Sequence, residues 1–212
     1  MILKGGQTMR KASNKGIEMI KQLEGCRLSA YKCLDSEDYY TIGYGHYGIS
    51  DGSLKITQAE ANELLEEDLS VIYDALEPAD YYYNFTDYEY DALVSFCFNL
   101  GSGIIAQLTK AYTRTKGQIA DAIPFYNHSG SQVIEGLTRR RNIERDLFVL
   151  GVYPDGSTYE SNAQTTDTIT ESTTLGQLVD MIIADKFGTD NDRKEALYNT
   201  IQNLVNKRYG ID

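Results

Sequence analysis

Residues 154–173 constrain this chain most. They read Pro-Asp-Gly-Ser-Thr-Tyr-Glu-Ser-Asn-Ala-Gln-Thr-Thr-Asp-Thr-Ile-Thr-Glu-Ser-Thr, and nine of the 20 are Ser or Thr. A stretch this polar cannot bury enough surface to offset the entropy of ordering it. It reads as a linker that divides the 212 residues into a first domain over 1–153 and a second over 174–212. The first is long enough for one well-filled core; the second, at about 40 residues, makes a small and marginal one.

Helical spacing dominates the first domain. Ile17, Ile20 and Leu23 share one face of a helix over 15–24, with Ser13 or Asn14 as its cap and Gly25 as its stop. Thr57-x-x-Glu60 and Thr86-x-x-Glu89 are capping boxes, each opening a helix. The first helix carries Ala61, Leu65, Leu69, Ile72 and Leu76, and Pro78 is expected to end it. The second carries Leu93, Phe96, Cys97 and Leu100 up to Gly101. Residues 39–56 read as short strands and turns, and 137–150 as a basic-then-apolar helix stopped by Gly151. The class is therefore α+β. In the second domain, the stripe Leu175, Leu178, Val179 and Ile182 and two shorter ones predict three helices.

Charge and composition narrow the function. A net charge of −11 argues against a general nucleic-acid binder. No apolar run approaches the roughly 20 residues of a membrane span. The N-terminal residues lack the apolar stretch of a signal peptide, so the chain is expected to fold in a cytoplasm. Cys26, Cys33 and Cys97 show no metal-ligand spacing and read as free thiols.

Two local features bear on chemistry. Gly43-Tyr-Gly45-His-Tyr-Gly48 matches the dinucleotide pattern, with Asp68 twenty residues beyond. That pattern needs a helix opening at the glycines, and Ile49-Ser-Asp-Gly-Ser is turn chemistry instead. Glycines at positive φ in a tight β region are the better reading. Glu24 closes the first helix, where the dipole's negative end meets its carboxyl, among Leu23, Cys26 and Leu28. Both effects favour the protonated acid, which is what protonating a glycosidic oxygen requires.

The run Glu24-Gly-Cys-Arg-Leu-Ser-Ala-Tyr-Lys-Cys33, followed by Thr41-Ile-Gly-Tyr-Gly-His46, resembles the phage-type lysozymes, the glycoside hydrolase family 24 endolysins. Tyr90-Asp-Ala-Leu-Val-Ser-Phe-Cys-Phe-Asn-Leu-Gly101 is similar to a second block of that family. Gly136-Leu-x-Arg139-Arg-Arg141-x-x-Glu144-x-x-Leu147-Phe148 is similar to its closing helix. The resemblance implies a lysozyme-like fold, with a small β lobe (39–56) and a helical lobe enclosing a cleft. It makes Glu24 the general acid and Thr41 a holder of the attacking water in an inverting reaction. Gly43, Tyr44, His46, Phe98 and Asn99 then line the substrate path, and Arg140 pairs with Glu24. Such a cation opposes the dipole effect on Glu24. Arg139, Arg140 and Arg141 read equally as a solvated helix face, and His46 as a local hydrogen-bonding residue.

The spacing departs from the family in one place. Counting forward from Glu24 gives Cys33 as the second catalytic position, and counting back from Thr41 gives Asp35. The turn therefore holds about two extra residues; the Ala30-Tyr31-Lys32-Cys33 frame favours Cys33 as the matching position, with Asp35 or Glu37 as alternatives. A cysteine is a poor base for water unless its pKa is lowered.

The composition includes 17 Tyr and no Trp. Tyr81, Tyr82, Tyr83 and Tyr88 cluster between two helices, where they serve packing or stack on sugar rings. Residues 175–208 resemble one copy of the Cpl-7-type cell-wall-binding repeat, although Asp185 and Thr189-Asp-Asn depart from its usual loop. That resemblance implies contacts to peptidoglycan from Arg193 with Asp192 or Lys194.

Together these readings imply an endolysin that hydrolyses the β-1,4 bond between N-acetylmuramic acid and N-acetylglucosamine. No metal and no cofactor are implied. The chain is expected to act as a monomer on peptidoglycan, without binding nucleic acid or membrane. A holin-type protein would release it from the host cytoplasm to the cell wall. The alternatives are a catalytically degenerate cell-wall-binding protein and a lytic transglycosylase.

Overall fold

The computed structural model describes residues 9–157, all within one compact unit except 115–118. The proposed C-terminal domain and nearly all of the linker lie outside the described residues, as do Asp192, Arg193 and Lys194.

Helix α1 (Asn14–Glu24) is capped by the Ser13 side chain, which accepts from the Gly16 amide, and Gly25 ends it at φ 67°. Three antiparallel strands follow, β1 (Arg27–Tyr31), β2 (Tyr40–Gly43) and β3 (His46–Ile49), in the order β1-β2-β3. The β region thus begins at residue 27, earlier than the expected 39. Strand β1 is exposed over three residues and half-buried over two, so no alternation of apolar and polar residues announces it. Tyr31 pairs with Thr41, and Thr41 with Tyr47.

Helix α2 (Gln58–Tyr83) opens with the full Thr57–Glu60 capping box. It passes through Pro78 to an Asn84 cap in the left-handed region, which corrects the expected stop. An interior proline costs a helix about 3 kcal/mol. Tertiary contacts offset that cost: Leu76 and Ala79 are fully buried on either side of it. Asp80 accepts from Arg10 Nη1 at 2.7 and 2.9 Å, with the Phe85 amide at 3.2 Å. Tyr81, Tyr82 and Tyr83 therefore belong to the last turn of α2, not to a loop. Tyr82 and Tyr83 pack against each other and on Tyr112, while Tyr81 stays exposed.

Helix α3 (Asp87–Leu100) begins at the Thr86–Glu89 capping box and is buried at every position from Glu89 to Cys97. An element hidden all round must run through the centre of the core. Short helices α4 (Ile104–Leu108) and α5 (Lys116–Ala122), a 3₁₀ turn over Ile123–Phe125 and the hairpin β4 (His128–Ser129)–β5 (Gln132–Val133) complete the path to α6. Helix α6 (Glu135–Leu150) buries Leu147 and Phe148 and ends at Gly151, φ 65°. Among the described residues no helix is long and apolar enough to cross a membrane.

Candidate active site

The last residue of α1 and the second turn of α6 meet, and their meeting point carries the chemistry. Arg140 Nη1 donates to Glu24 Oε1 at 2.6 Å, across 116 positions of sequence. The other oxygen, Oε2, has no hydrogen bond from the described residues. One carboxylate oxygen is thus held while the other is free to carry a proton. The expected apolar cage around Glu24 is absent, because Cys26 and Leu28 are exposed. A cation stands in its place.

The arginine run divides three ways. Arg139 is exposed and lies 3.7 Å from Glu135. Arg140 and Arg141 are buried, which rules out the solvated-face reading for both. Between them sits Glu144, whose side chain is 0% exposed. Its Oε1 accepts from Arg140 Nε at 3.0 Å and from Ser95 Oγ at 2.8 Å. Its Oε2 lies 3.0 Å from Arg141 Nε, an ion pair by distance although the hydrogen is not aligned. Arg141 Nη2 donates to Asn99 Oδ1 at 2.6 Å, and the Phe96 ring lies 4.9 Å from its guanidinium. Burial pushes the Glu144 carboxyl up, and the two guanidiniums pull it back. Burial also pushes the nearby Cys97 thiol up to about 12, so that thiol is inert.

On the β side, Tyr31 gathers the remaining candidates. Burial pushes its phenol up, the neighbouring Cys33 adds to this, Arg27 pulls back, and Glu24 and Glu37 push further. Arg27 stacks on the Tyr31 ring at 4.4 Å. Cys33 and Glu37 are in the turn after β1, where Glu37 Oε2 accepts from the Cys33 amide at 3.0 Å. Asp35 is exposed in that turn. Sequence reasoning overlooked Tyr31; its place in Ala-Tyr-Lys-Cys, facing Thr41 across the sheet, is the signal that could have found it.

Thr41 is buried in the middle strand. Gly43 and Tyr44 face inward against α2. A Cβ on Gly43 would sit 3.6 Å from that of Ala61, and Tyr44 Oη accepts from Gln58 Nε2 at 2.8 Å. Gly43, Gly45 and Gly48 have φ of 66°, 106° and 112°, as turn chemistry requires. No helix opens at these glycines, and the dinucleotide reading fails on the structure. Its would-be acid, Asp68, instead takes the His46 Nδ1 at 3.0 Å, tying β3 to α2. His46 is thus engaged locally.

Beside that pair a cavity of about 330 Å³ opens between β3, α2 and the end of α3. Tyr47, Val71 and Phe98 form its apolar walls, and Asp68 and Ser102 supply polar groups. Phe98 lines this cavity, whereas Asn99 is held by Arg141. No cluster of three or more metal-ligating side chains occurs among the described residues.

A family model described as phage lysozyme matches residues 21–144. Over 138 residues the chain is 41% identical to the endolysin of Lactococcus phage c2, a match that covers 65% of this chain. The chain spans 60% of the length of that relative. The endolysin of Bacillus phage B103 is 35% identical over 201 residues, covering 93% of this chain and 75% of the relative. Among solved structures, the muramidase domain of SpmX from Asticaccaulis excentricus superposes with a TM-score of 0.57 at 32% identity. That superposition covers 66% of this chain and 98% of the other.

Proposed function

This chain belongs to the phage lysozyme family, and from that premise we propose that it is a peptidoglycan hydrolase cutting the β-1,4 bond between N-acetylmuramic acid and N-acetylglucosamine. Its lysozyme-like α+β fold is shared with solved relatives. The observation that carries the reading is the one-sided grip on Glu24, with Arg140 on Oε1 and nothing on Oε2.

In this reading Oε2 delivers the proton to the glycosidic oxygen. The C1–O bond breaks as water attacks C1 from the opposite face, with inversion, and Glu24 is left as a carboxylate. Thr41 holds that water, and one of Cys33, Asp35 or Glu37, as its anion, takes the proton the water loses; solvent then returns a proton to Glu24. Sugar rings occupy the cavity against Tyr47 and Phe98, since aromatic faces suit the apolar faces of saccharides. Arg140 aims the acid from a buried position and Asn99 rests on Arg141, so both shape the cleft from behind.

Residues 174–212 form the wall-binding part of this proposal, with Asp192, Arg193 and Lys194 as contacts. The protein acts as a monomer in the glycoside hydrolase family 24 manner, needs no cofactor and reaches the wall from the host cytoplasm through a holin-type partner.

Mass spectrometry of fragments released from purified Gram-positive peptidoglycan tests the reaction. Reducing N-acetylmuramic acid ends are expected. Ends of the 1,6-anhydro type would mean a transglycosylase, and wall sedimentation with no fragments would mean a degenerate binding protein. Parallel digests with Cys33→Ala, Asp35→Asn and Glu37→Gln identify the second group as the one whose loss stops release.

A further inference from the structure

Glu144 is a buried acid that the proposed reaction does not use. Its side chain and that of Arg141 are both 0% exposed. Leu147 and Phe148 already anchor α6 in the core, so the helix does not need a carboxylate to stay there. Replacing buried ionic groups by apolar ones is often neutral or stabilising, so their presence calls for another reason.

The arrangement suggests that reason. Every nitrogen of Arg140 is committed: Nη1 to Glu24, Nε to Glu144 and Nη2 to the Ser95 carbonyl at 3.1 Å. Two cations stand behind Glu24, Arg140 in contact and Arg141 felt at longer range. With Glu24 ionised, the four groups sum to zero; without Glu144, one positive charge is left over. On the β side the titratable groups are Tyr31, with Arg27 over its ring at 4.4 Å, and Cys33 and Glu37 in the turn after β1. From α3, Ser95 and Asn99 present neutral groups to this cluster, and Cys97 contributes a thiol that burial pushes up to about 12.

We propose that Glu144 is a positioning residue for the acid: its carboxylate offsets the charge of Arg140 and Arg141, so that Arg140 aims Glu24 without fixing it as an anion. This rests on Glu24 acting as the general acid. An aiming cation is useful for orientation and harmful to proton donation, because an opposite charge in contact favours the ionised form. A second carboxylate on the far side of the same guanidinium keeps the first effect and weakens the second.

The test is the pH–activity profile on purified peptidoglycan, with the folded fraction of each variant measured by thermal melting. In Glu144→Gln the alkaline limb moves to lower pH, because the Arg140 and Arg141 guanidiniums then lack their buried counter-charge. In the double variant Arg141→Met/Glu144→Gln it returns toward the parent. In Arg141→Met alone it moves to higher pH, and this variant carries the test if Glu144→Gln does not fold. A purely structural role predicts uniform loss at all pH values in proportion to the folded fraction. Limbs that superimpose on the parent's, or uniform loss, overturn the proposal. The Glu24→Gln variant separates the two levels. If it stays active, the general-acid reading fails; if it is inactive while the limbs superimpose, only the role of Glu144 fails.

Discussion

Arg140 binds Glu24 at 2.6 Å from a helix that begins 111 residues later in the chain, with side-chain exposures of only 8% and 20%. The contact closes α6 onto the end of α1, so it serves both the fold and the site. Breaking a part-buried pair of this kind costs about 3 kcal/mol, since the abandoned partners stay desolvated. Arg140→Met is therefore expected to melt well below the parent and to lose at least about tenfold in kcat, with Glu24 no longer aimed. Arg140→Lys keeps the charge but reaches one partner in place of three, so it should recover stability more than rate. Equal recovery of both would contradict the aiming role.

Asp91 gives a pH dependence with a definite sign. Burial pushes its carboxyl up from the ordinary 3.8, while Ser13 and Tyr153 pull it back and Asp87 pushes further. The Ser13 amide donates to it at 2.8 Å and Tyr153 Oη at 2.6 Å, and the Ser13 hydroxyl also donates to it. A carboxyl raised in the folded state binds protons more readily there than in the unfolded chain. Its contribution is thus complete below pH 3.8 and is lost as pH rises through the folded value. The stability of the parent relative to Asp91→Asn should fall as pH rises above 3.8, measured by melting at each pH. A difference that is flat or rises with pH would exclude this account.

Gly16 and Asp91 also touch. A Cβ at Gly16 would lie 2.5 Å from the Asp91 carboxyl carbon, a distance real side chains do not tolerate. Gly16→Ala must displace either Asp91 or α1. It is expected to destabilise by about 2 kcal/mol, and combining it with Asp91→Ala should cost less than the sum of the two. Additive losses in denaturant titrations would show that the two residues act independently.

The His46–Asp68 pair is part-exposed, at 24% and 33%, and its contribution is limited by solvent. Replacing either residue by Ala should cost about 1 kcal/mol or less. The rate on peptidoglycan should remain within a few-fold of the parent, because the His46 ring is engaged by Asp68 of α2. A loss of kcat above a hundredfold with an unchanged melting temperature would make His46 catalytic.

Much of this was legible in the sequence where one rule acts alone. The two Thr-x-x-Glu boxes state their helix starts outright, and the glycines of 43–48 state a turn. Pro78 misleads because the local cost of proline is outweighed by Leu76, Ala79 and the Arg10–Asp80 pair, which only folding brings together. Strand β1 carries no periodic signal because its hydrogen bonds, not its side chains, place it. The buried ion pairs were hidden inside what reads as a charged helix face. Arg140, Arg141, Glu144, Leu147 and Phe148 nevertheless fall at the i, i+1, i+4, i+7 and i+8 positions of one stripe, and that spacing marks the charges as inward.

Glu24 is the proposed proton donor. Its most direct test is the Glu24→Gln variant, assayed for release of reducing ends from purified peptidoglycan and, in the same preparations, for wall sedimentation and melting temperature. Glutamine keeps an oxygen for Arg140 but has no acidic proton to give. The account predicts unchanged sedimentation, a melting temperature within a few degrees of the parent and hydrolysis down by at least about a thousandfold. Hydrolysis within tenfold of the parent by a folded, wall-bound Glu24→Gln protein would contradict it.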